Sequence, residues 1–337
     1  MSKDFTLEHK DEHPHTPDPS IINFNESVYV NGFDPKLEMG GWMRLGNRAN
    51  EGHAEMQVCM YLPGNRVACM FQRPPITSNE KFSAGGLSYE VVDPFKAVKM
   101  EYDGELMVLE DPGLLRDAKK LFETAPRAKG FVSLSQTAVS PIHGGSPTRD
   151  DVEPYYGRDF SLNHFNQHMN VTGKIQVGDE TFEIDGYGWR DHSWGPRYWQ
   201  NINFHRLYLA NFDNGNAFQL LRINKDPVKP MRRRGVVLID GDYDEVTDFE
   251  AVTEWNDEKD PKSYTLVVRT ESSRSAVIKG EVITVAPLRN RRKVDDKWVK
   301  SRICEAITKF TWDGAVGYGM TEYIERFDDD HLAGYPL

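Results

Sequence analysis

Short runs in which apolar and polar residues alternate fill most of the chain, with turn-forming residues between them. From Met56 to Leu62 every second residue is apolar, which gives a strand one apolar face. The run 67–72 is nearly continuous in apolar residues, as in a strand buried on both sides. Residues 169–177 and 180–187 read as a hairpin around a Gly-Asp turn. Many short strands at regular spacing predict β-sandwiches or β-barrels.

One segment has helical spacing instead. Asp111 can cap a helix, and Pro112 suits its first position. Apolar residues between Leu114 and Phe122 then form a stripe on one side. We expect this helix to close or flank the end of a barrel. The predicted fold class is therefore mainly β, with one or two short helices.

Length and composition limit the architecture and the partners. A chain of 337 residues is long for one domain, so two domains are expected. A hydrophobic content of 39% with 11% aromatic residues is enough for packed cores. The net charge of −11 argues against nucleic acid as a partner, because phosphate binding needs a basic surface. We expect the basic clusters at 232–234 and 289–293 to be solvated loop charge.

Cysteine usage and hydropathy bear on the compartment. The three cysteines have no metal-type spacing and cannot all pair, which favours a reducing compartment. The first fifteen residues are polar and do not resemble a signal peptide. No run reaches the about 18 apolar residues that span a bilayer. We expect a cytoplasmic protein without a transmembrane segment, and a flexible N-terminal arm over residues 1–20.

The stretch 184–197 has the highest density of side chains that transfer protons or stabilise cations. These residues are Tyr187, Trp189, Arg190, Asp191, His192, Trp194 and Arg197. Such groups suit a reaction that passes through a carbocation. Asp191 or His192 would deliver a proton while the other positions water or removes the final proton, and the rings would stabilise the cation. The alternative is an ordinary turn in which Asp191 orders backbone amides and the tryptophans fill a core.

The alternation of side chains limits how many of these groups can converge. An extended strand would place Tyr187, Trp189 and Asp191 on one face. Arg190, His192 and Trp194 would then lie on the other. A kink at Gly188, or near Gly195-Pro196, would return His192 and Trp194 to the first face.

The run 188–197, GWRDHSWGPR, resembles the signature of the hydroxyneurosporene synthase/AttH-like superfamily. The later pattern 310–323 extends the resemblance, which covers most of the chain loosely. The superfamily includes carotenoid hydratases, a hydratase of a prenylated plant isoflavonoid and fungal Diels-Alderase-type cyclases. The resemblance implies two lipocalin-like (calycin-type) β-barrels in tandem, over 21–165 and 166–330. The motif would lie early in the second barrel and face the interface, where small-molecule pockets are common.

The resemblance also implies roles for individual residues. In the carotenoid hydratases, the pair matching His192 and Trp194 serves acid–base and cation-stabilising roles. Those enzymes use a downstream Tyr-x-Asp pair as well, but this chain has Asn211-Phe212-Asp213 there. The tyrosine is absent, and Asp213 fits a turn aspartate better than a catalytic one.

Other polar residues offer further alternatives. His205 is either a core histidine or a pocket donor, and Glu322 points either inward or outward. His164 and His168, together with Asp191 and His205, would make a metal site only if the fold assembled them, so no metal is predicted. No Walker loop or strand–GxGxxG–helix unit is present, so no nucleotide cofactor is expected.

These observations predict a cofactor-independent hydratase/dehydratase, isomerase or cyclase. It would act on a lipophilic, terpenoid-like or polycyclic substrate in a pocket between the two barrels. The predicted catalytic residues are Asp191, His192 and Trp194. The predicted substrate-binding residues are Tyr187, Trp189, Arg190, Arg197 and His205. The expected partner is a lipophilic small molecule, and assembly as a homodimer is left open.

Two alternatives need fewer catalytic groups. A cyclase that only preorganises a reactive polyene needs shape and hydrogen-bond donors such as Trp189 or Tyr187, but no acid. A non-catalytic carrier would bind a lipophile unchanged, and it would gain little from Asp191.

Overall fold

The computed structural model describes residues 4–158, 160–294, 296–329 and 331–337. Alternating apolar and polar residues fold into strands throughout, as the sequence predicts. The strands up to residue 196 are β1 Phe5–Thr6, β2 Phe24–Asp34, β3 Met39–Arg48, β4 His53–Leu62, β5 Arg66–Gln72, β6 Ser83–Ala84, β7 Leu87–Asp93, β8 Ala97–Leu109, β9 Arg127–Ala138, β10 His143–Pro147, β11 Asn163–Val177 and β12 Glu180–Pro196. The later strands are β13 Phe204–Phe212, β14 Ala217–Asn224, β15 Arg232–Ile239, β16 Asp242–Trp255, β17 Pro261–Thr270, β18 Ser275–Val294, β19 Lys297–Trp312, β20 Ala315–Asp328 and β21 His331–Leu332.

Helix is confined to short pieces. The described residues contain one α-helix, α1, over Ala118–Thr124. Their 3-10 helices are His9–Glu12, Ala49–Glu51, Pro112–Arg116 and Trp199–Asn201. The helix predicted after Asp111 is therefore divided into a 3-10 helix and α1. The division occurs because Asp117 starts a new cap, its carboxylate accepting from the Lys120 amide at 3.0 Å.

Antiparallel pairing closes two barrels. In the first, β2, β3, β4, β5, β8, β9, β11 and β12 pair in that order, and β12 returns to β2. In the second, β13 to β20 pair in chain order, and β20 returns to β13. Each barrel thus has eight strands. The predicted fold class of two lipocalin-like barrels in tandem is confirmed.

The strand pairings place the motif in a different barrel from the one predicted. Strand β12 carries the motif and pairs with β2 from Tyr187 to Pro196, so residues 163–196 complete the first barrel. The second barrel begins only at Phe204. The change of barrel therefore falls after Pro196 and not near residue 165. The motif belongs to the first barrel because it pairs with β2, a strand that lies about 160 residues earlier in the chain.

The predicted N-terminal arm packs onto the first barrel. Its first three residues lie outside the described ones. Strand β1 pairs with β10, and the Glu12 side chain is completely buried. Asn79 Nδ2 also donates to the backbone carbonyl of His15 at 2.8 Å. The segment is polar and partly exposed, but it is anchored by polar groups in buried contacts, such as the Glu12 carboxylate.

The two barrels pack against each other through their outer faces. The Tyr61 hydroxyl donates to the Glu305 backbone carbonyl at 2.9 Å. Trp42 of the first barrel and Met320 of the second belong to one apolar core cluster. The interior of the second barrel has its own aromatic core, in which the hydroxyls of Tyr208 and Tyr323 lie 2.8 Å apart. No helix in the described part of the chain is long and apolar enough to cross a membrane.

Candidate active site

A cavity of about 490 Å³ lies between the two barrels. Strands β2 to β5, β11 and β12 line it on one side, and β13 with β18 to β20 line it on the other. Residues Leu115, Ala118 and Leu121 cover part of its edge. This cavity is the candidate for the pocket that the sequence predicts between the two barrels.

The motif strand presents alternate residues to this cavity. Trp189, Asp191 and Ser193 line it, and Arg197 lines it just beyond the strand. Arg190, His192 and Trp194 do not line it, because they lie on the opposite face of the strand. Pairing with β2 and β11 runs through this stretch without a register shift, so there is no kink before Gly195, whose φ is 121°.

The predicted site residues on the opposite face have structural partners. The Arg190 guanidinium donates to Glu12 Oε1 at 2.7 Å and to Glu12 Oε2 at 2.8 Å, and both side chains are completely buried. It also donates to Gln167 Oε1 at 2.8 Å. The substrate-binding role predicted for Arg190 is therefore corrected, because its guanidinium is engaged away from the cavity. Tyr187 is half-buried and does not line the cavity either.

His192 and Trp194 help to hold the N-terminal segment. His192 Nε2 lies 2.9 Å from Glu26 Oε1, and His15 Nδ1 lies 2.7 Å from the same oxygen. The Trp194 ring stacks on the His15 ring with a centroid distance of 4.1 Å. Burial alone would lower the pKa of His15, but its hydrogen bond with Glu26 raises that pKa overall. The prediction that His192 and Trp194 act in the same pocket as Asp191 is thus corrected.

Among the described residues, His15, Glu26 and His192 are the group whose donor atoms lie close enough for a metal ion. Both Glu26 oxygens already accept hydrogen bonds, Oε1 from the two imidazoles and Oε2 from the His15 amide and Asn79. Burial raises the pKa of Glu26, but these contacts lower it overall, as expected for an ionised acceptor. The arrangement is explained by a hydrogen-bonded cluster.

The metal site considered from the sequence does not form a compact group. His164 and Asp191 meet, but His168 is turned away from the cavity. Its Nε2 donates to the Phe218 carbonyl at 3.1 Å and its Nδ1 accepts from the Tyr243 hydroxyl at 2.9 Å. Burial lowers the pKa of His168 to about 4. His168 is therefore a neutral core histidine with both nitrogens satisfied.

On the first-barrel side of the cavity, an imidazole and a carboxylate lie together. His164 Nε2 is 3.5 Å from Asp191 Oδ2, and His164 is buried. Burial lowers the pKa of His164, and the nearby Asp191 carboxylate offsets only part of this effect. The imidazole is consequently neutral at neutral pH and can accept a proton. Asp191 is the predicted catalytic residue that does face the cavity.

On the second-barrel side, two carboxyl groups lie opposite each other. Glu305 of β19 pairs in register with Glu322 of β20, and both line the cavity. Burial raises the pKa of Glu305 well above its ordinary value, and the neighbouring Glu322 raises it further. Burial also raises the pKa of Glu322. Because two adjacent buried carboxyl groups cannot both ionise readily, Glu305 keeps its proton while Glu322 accepts its hydrogen bond.

His205 lies beside this pair. Its Nδ1 is 3.4 Å from Glu322 Oε1. Burial and the nearby Arg206 lower the pKa of His205 to about 3, so the ring is neutral. His205 lines the cavity. Of the two alternatives given by the sequence, this is the pocket position and not a core histidine. Glu322 points into the cavity as well, although an outward charge is more common in a strand.

Aromatic rings form the wall between the acid pair and the motif strand. Tyr29 stacks on Trp42 with a centroid distance of 6.0 Å, and it meets Trp189 edge to face at 5.9 Å. Ring faces of this kind stabilise a nearby positive charge. Asp213 takes no part in this site, since its Oδ1 accepts from the Val316 amide at 3.2 Å in a turn.

Sequence reasoning missed several residues of the cavity, among them Glu305, His164 as a partner of Asp191, Tyr29 and Trp42. One local signal existed for Glu305, which shares a strand face with Ile303 and Ile307. A carboxyl group on an otherwise apolar face is a buried group or a functional one. Its pairing with Glu322, in contrast, depends on the register of β19 and β20, which the local pattern does not reveal.

The fold and the cavity together define the class of this protein. Its members have two lipocalin-like barrels in tandem, with a polar and aromatic cavity between them. Residues 8–326 match the family described as "Domain of unknown function (DUF7064)", and the chain belongs to this family. A comparison with curated proteins finds no match.

Several solved structures share the double-barrel fold. A protein assigned as AttH (NE1406) from Nitrosomonas europaea has a TM-score of 0.66 at 13% identity, over 96% of this chain and 97% of that one. CghA has a TM-score of 0.58 at 11% identity, over 97% and 95%. Kievitone hydratase from Nectria haematococca has a TM-score of 0.58 at 8% identity, over 95% and 93%. At these identities the likeness shows the fold, and it confirms the AttH-like resemblance at that level.

Proposed function

We propose that the chain is a cofactor-independent enzyme of the hydratase/dehydratase, isomerase or cyclase type. Its substrate would be a lipophilic, terpenoid-like or polycyclic molecule with a carbon–carbon double bond or a hydroxyl that can leave. The observation that carries the proposal is the buried Glu305–Glu322 pair, which shares one cavity with His164 and Asp191. A protonated acid and a neutral base in the same cavity are what proton addition and removal require.

Glu305 is the proposed general acid. Its side chain is buried, and its raised pKa leaves it protonated at neutral pH. A carboxylic acid kept neutral by its surroundings can protonate an alkene carbon or a leaving hydroxyl. Once Glu305 has given up its proton, both carboxyl groups of the pair are ionised, and Arg44 is the nearby cation that offsets their charge.

Asp191 and His164 form the proposed base. If a proton is added to an alkene, the electron pair of the double bond forms the new C–H bond and leaves a carbocation. Water then attacks the cation while His164 takes the proton of that water, which completes a hydration. Removal of a neighbouring C–H proton instead gives an isomer. Attack by a second double bond gives a ring and a new carbocation, which then loses a C–H proton to the base. The reverse sequence from an alcohol is dehydration.

The aromatic wall would stabilise the cation between these steps. Trp189, Trp42 and Tyr29 line the cavity between the acid pair and the base. Their ring faces attract positive charge, most strongly where water is excluded. The name of kievitone hydratase, one of the proteins with this fold, is in keeping with a hydratase-type reaction.

Proton exchange in D₂O tests this proposal, because it detects protonation of carbon whatever the product is. The purified protein would be incubated with a panel of polyene terpenoids and prenylated phenols, and deuterium uptake followed by mass spectrometry. We expect uptake at alkene or allylic carbons of at least one compound, with loss of uptake in the Glu305→Gln variant. Tight binding of panel members without deuterium uptake or product would instead support a carrier. Product formation that is unchanged in Glu305→Gln would support a cyclase that needs no acid.

A further inference from the structure

The cavity carries positive charge in a protein that is acidic as a whole. Five arginines line it: Arg44, Arg73, Arg197, Arg289 and Arg292. The carboxyl groups that line it are Glu55, Asp191, Glu305 and Glu322, of which Glu305 is protonated. The net charge of the chain is −11. This local excess of cations is therefore not a general property of the surface.

Arg197 is the most deeply buried of these five arginines, and it lacks a charged partner. Its side chain is only 7% exposed, and no carboxylate of the described residues lies within 4.0 Å of it. Its Nη2 donates to Ser193 Oγ at 2.9 Å, while its Nε is buried without a hydrogen-bond partner. The guanidinium lies over the Phe160 ring at 4.3 Å. A buried, unpaired cation is unfavourable, so this position is suited to an incoming anion.

Arg44 lies close by and is only partly neutralised. Arg44 and Arg292 share one carboxylate, with Arg44 Nη1 3.2 Å from Glu55 Oε2 and Arg292 Nη2 3.4 Å from Glu55 Oε1. Burial raises the pKa of Glu55, but Arg44 and the other arginines lower it to about 2, so it is ionised. Arg44 and Arg197 lie against the same Trp199 ring, at 5.8 and 5.3 Å.

We propose that the ligand of the cavity is a lipophilic carboxylic acid, whose carboxylate binds Arg197 with Arg44 beside it. This inference rests on the proposed function, because it names the substrate class for the same cavity. The apolar part of the ligand would then extend along Trp189 and Trp42 toward the acid pair.

The charge balance favours a carboxylate over a phosphate. Around the proposed position, Arg44, Arg197 and Arg292 face three carboxylates, Glu55, Asp191 and Glu322, so a ligand of low charge disturbs the balance least. A carboxylate brings one negative charge, and a phosphate monoester brings nearly two. Burial, together with Arg44, lowers the pKa of Arg197 to about 9, which an ionised ligand would reverse.

Binding of three ligands with the same alkyl chain tests the proposal. Decanoic acid, decan-1-ol and decyl phosphate would be titrated into the purified protein at neutral pH by calorimetry. We expect decanoate to bind about ten- to a hundredfold more tightly than decanol, the usual effect of one hydrogen bond to a charged group. The Arg197→Gln variant should lose this preference and leave decanol binding unchanged. Arg274→Gln, which changes an exposed arginine of the second barrel, is the matched control.

Each other outcome contradicts the proposal in a distinct way. Equal affinity of the unchanged protein for decanoate and decanol would overturn the proposal. This comparison needs no variant, so it holds even if Arg197→Gln does not fold. A preference for decyl phosphate would overturn the carboxylate, and a preference that survives in Arg197→Gln would overturn the role of Arg197. Failure of all three ligands to bind would overturn this inference, whereas the proposed function would still be decided by deuterium uptake in D₂O. Selective decanoate binding by a protein inactive in D₂O would leave the inference standing and remove the proposed function alone.

Discussion

Asp191 and His192 are adjacent in the chain but act in different surroundings. Asp191 Oδ2 lies 3.5 Å from His164 Nε2 in the cavity between the barrels. His192 Nε2 lies 2.9 Å from Glu26 Oε1, on the opposite face of the same strand. The motif strand therefore separates its polar residues into a group that lines the cavity and a group that holds the N-terminal segment. Substitutions at these two positions should have different consequences.

Replacement of the proposed acid should abolish chemistry and preserve the fold. Glu305→Gln keeps the size of the side chain and its hydrogen-bonding capacity but has no acidic proton. We expect turnover of any substrate found in D₂O to fall by about 10²- to 10⁴-fold, the usual contribution of general acid catalysis. The melting temperature should not fall, because the protonated Glu305 is already uncharged and glutamine replaces it with an uncharged side chain of the same size. Full turnover in a folded Glu305→Gln protein would remove Glu305 from the mechanism.

The pH dependence of turnover should be bell-shaped. The base His164 must be neutral, and burial lowers its pKa below 6.5, so activity should fall only when the pH drops through that lowered value. The acid Glu305 must be protonated, and burial raises its pKa well above 4.5, so activity should also fall on the alkaline side. Rates measured across pH for the unchanged protein and Glu305→Gln would check this. An alkaline limb that persists in Glu305→Gln would assign it to another group.

The buried ion pair of the N-terminal segment should contribute to stability. Glu12→Gln leaves the buried Arg190 without a charge partner, so we expect a loss of about 3–5 kcal/mol in the free energy of unfolding. Urea unfolding followed by tryptophan fluorescence would measure it. Glu8→Gln is the control. The partner of Glu8, Lys10, is highly exposed, so the stability of this variant should equal that of the unchanged protein. Equal stability of the two variants would mean that the segment does not depend on the ion pair.

Much of the fold follows from local patterns in the sequence. Alternation from Met56 to Leu62 identifies β4, and the Gly-Asp turn identifies the hairpin of β11 and β12. The same alternation separates Asp191 from His192. The barrel to which β12 belongs could not be predicted, because its pairing with β2 joins residues about 160 positions apart.

Apart from His205 on β13, the predicted residues that line the cavity all come from the motif. Asp191, Trp189 and Arg197 come from the motif, and all three line the cavity. The acid pair instead depends on the register of β19 with β20. The burial of Glu12 was not foreseen either, because a charged, proline-bearing terminus has the composition of a solvated segment.

The central claim is that the chemistry takes place in the cavity and not around His192. Turnover in D₂O and melting temperature, measured together on Asp191→Asn and His192→Ala, test this claim most directly. We predict that Asp191→Asn lowers turnover by about 10²- to 10⁴-fold at an unchanged melting temperature. His192→Ala should lower the melting temperature, because it removes a buried partner of Glu26, while turnover per folded molecule stays the same. Full turnover in Asp191→Asn, together with loss of turnover in a stable His192→Ala protein, would contradict the account.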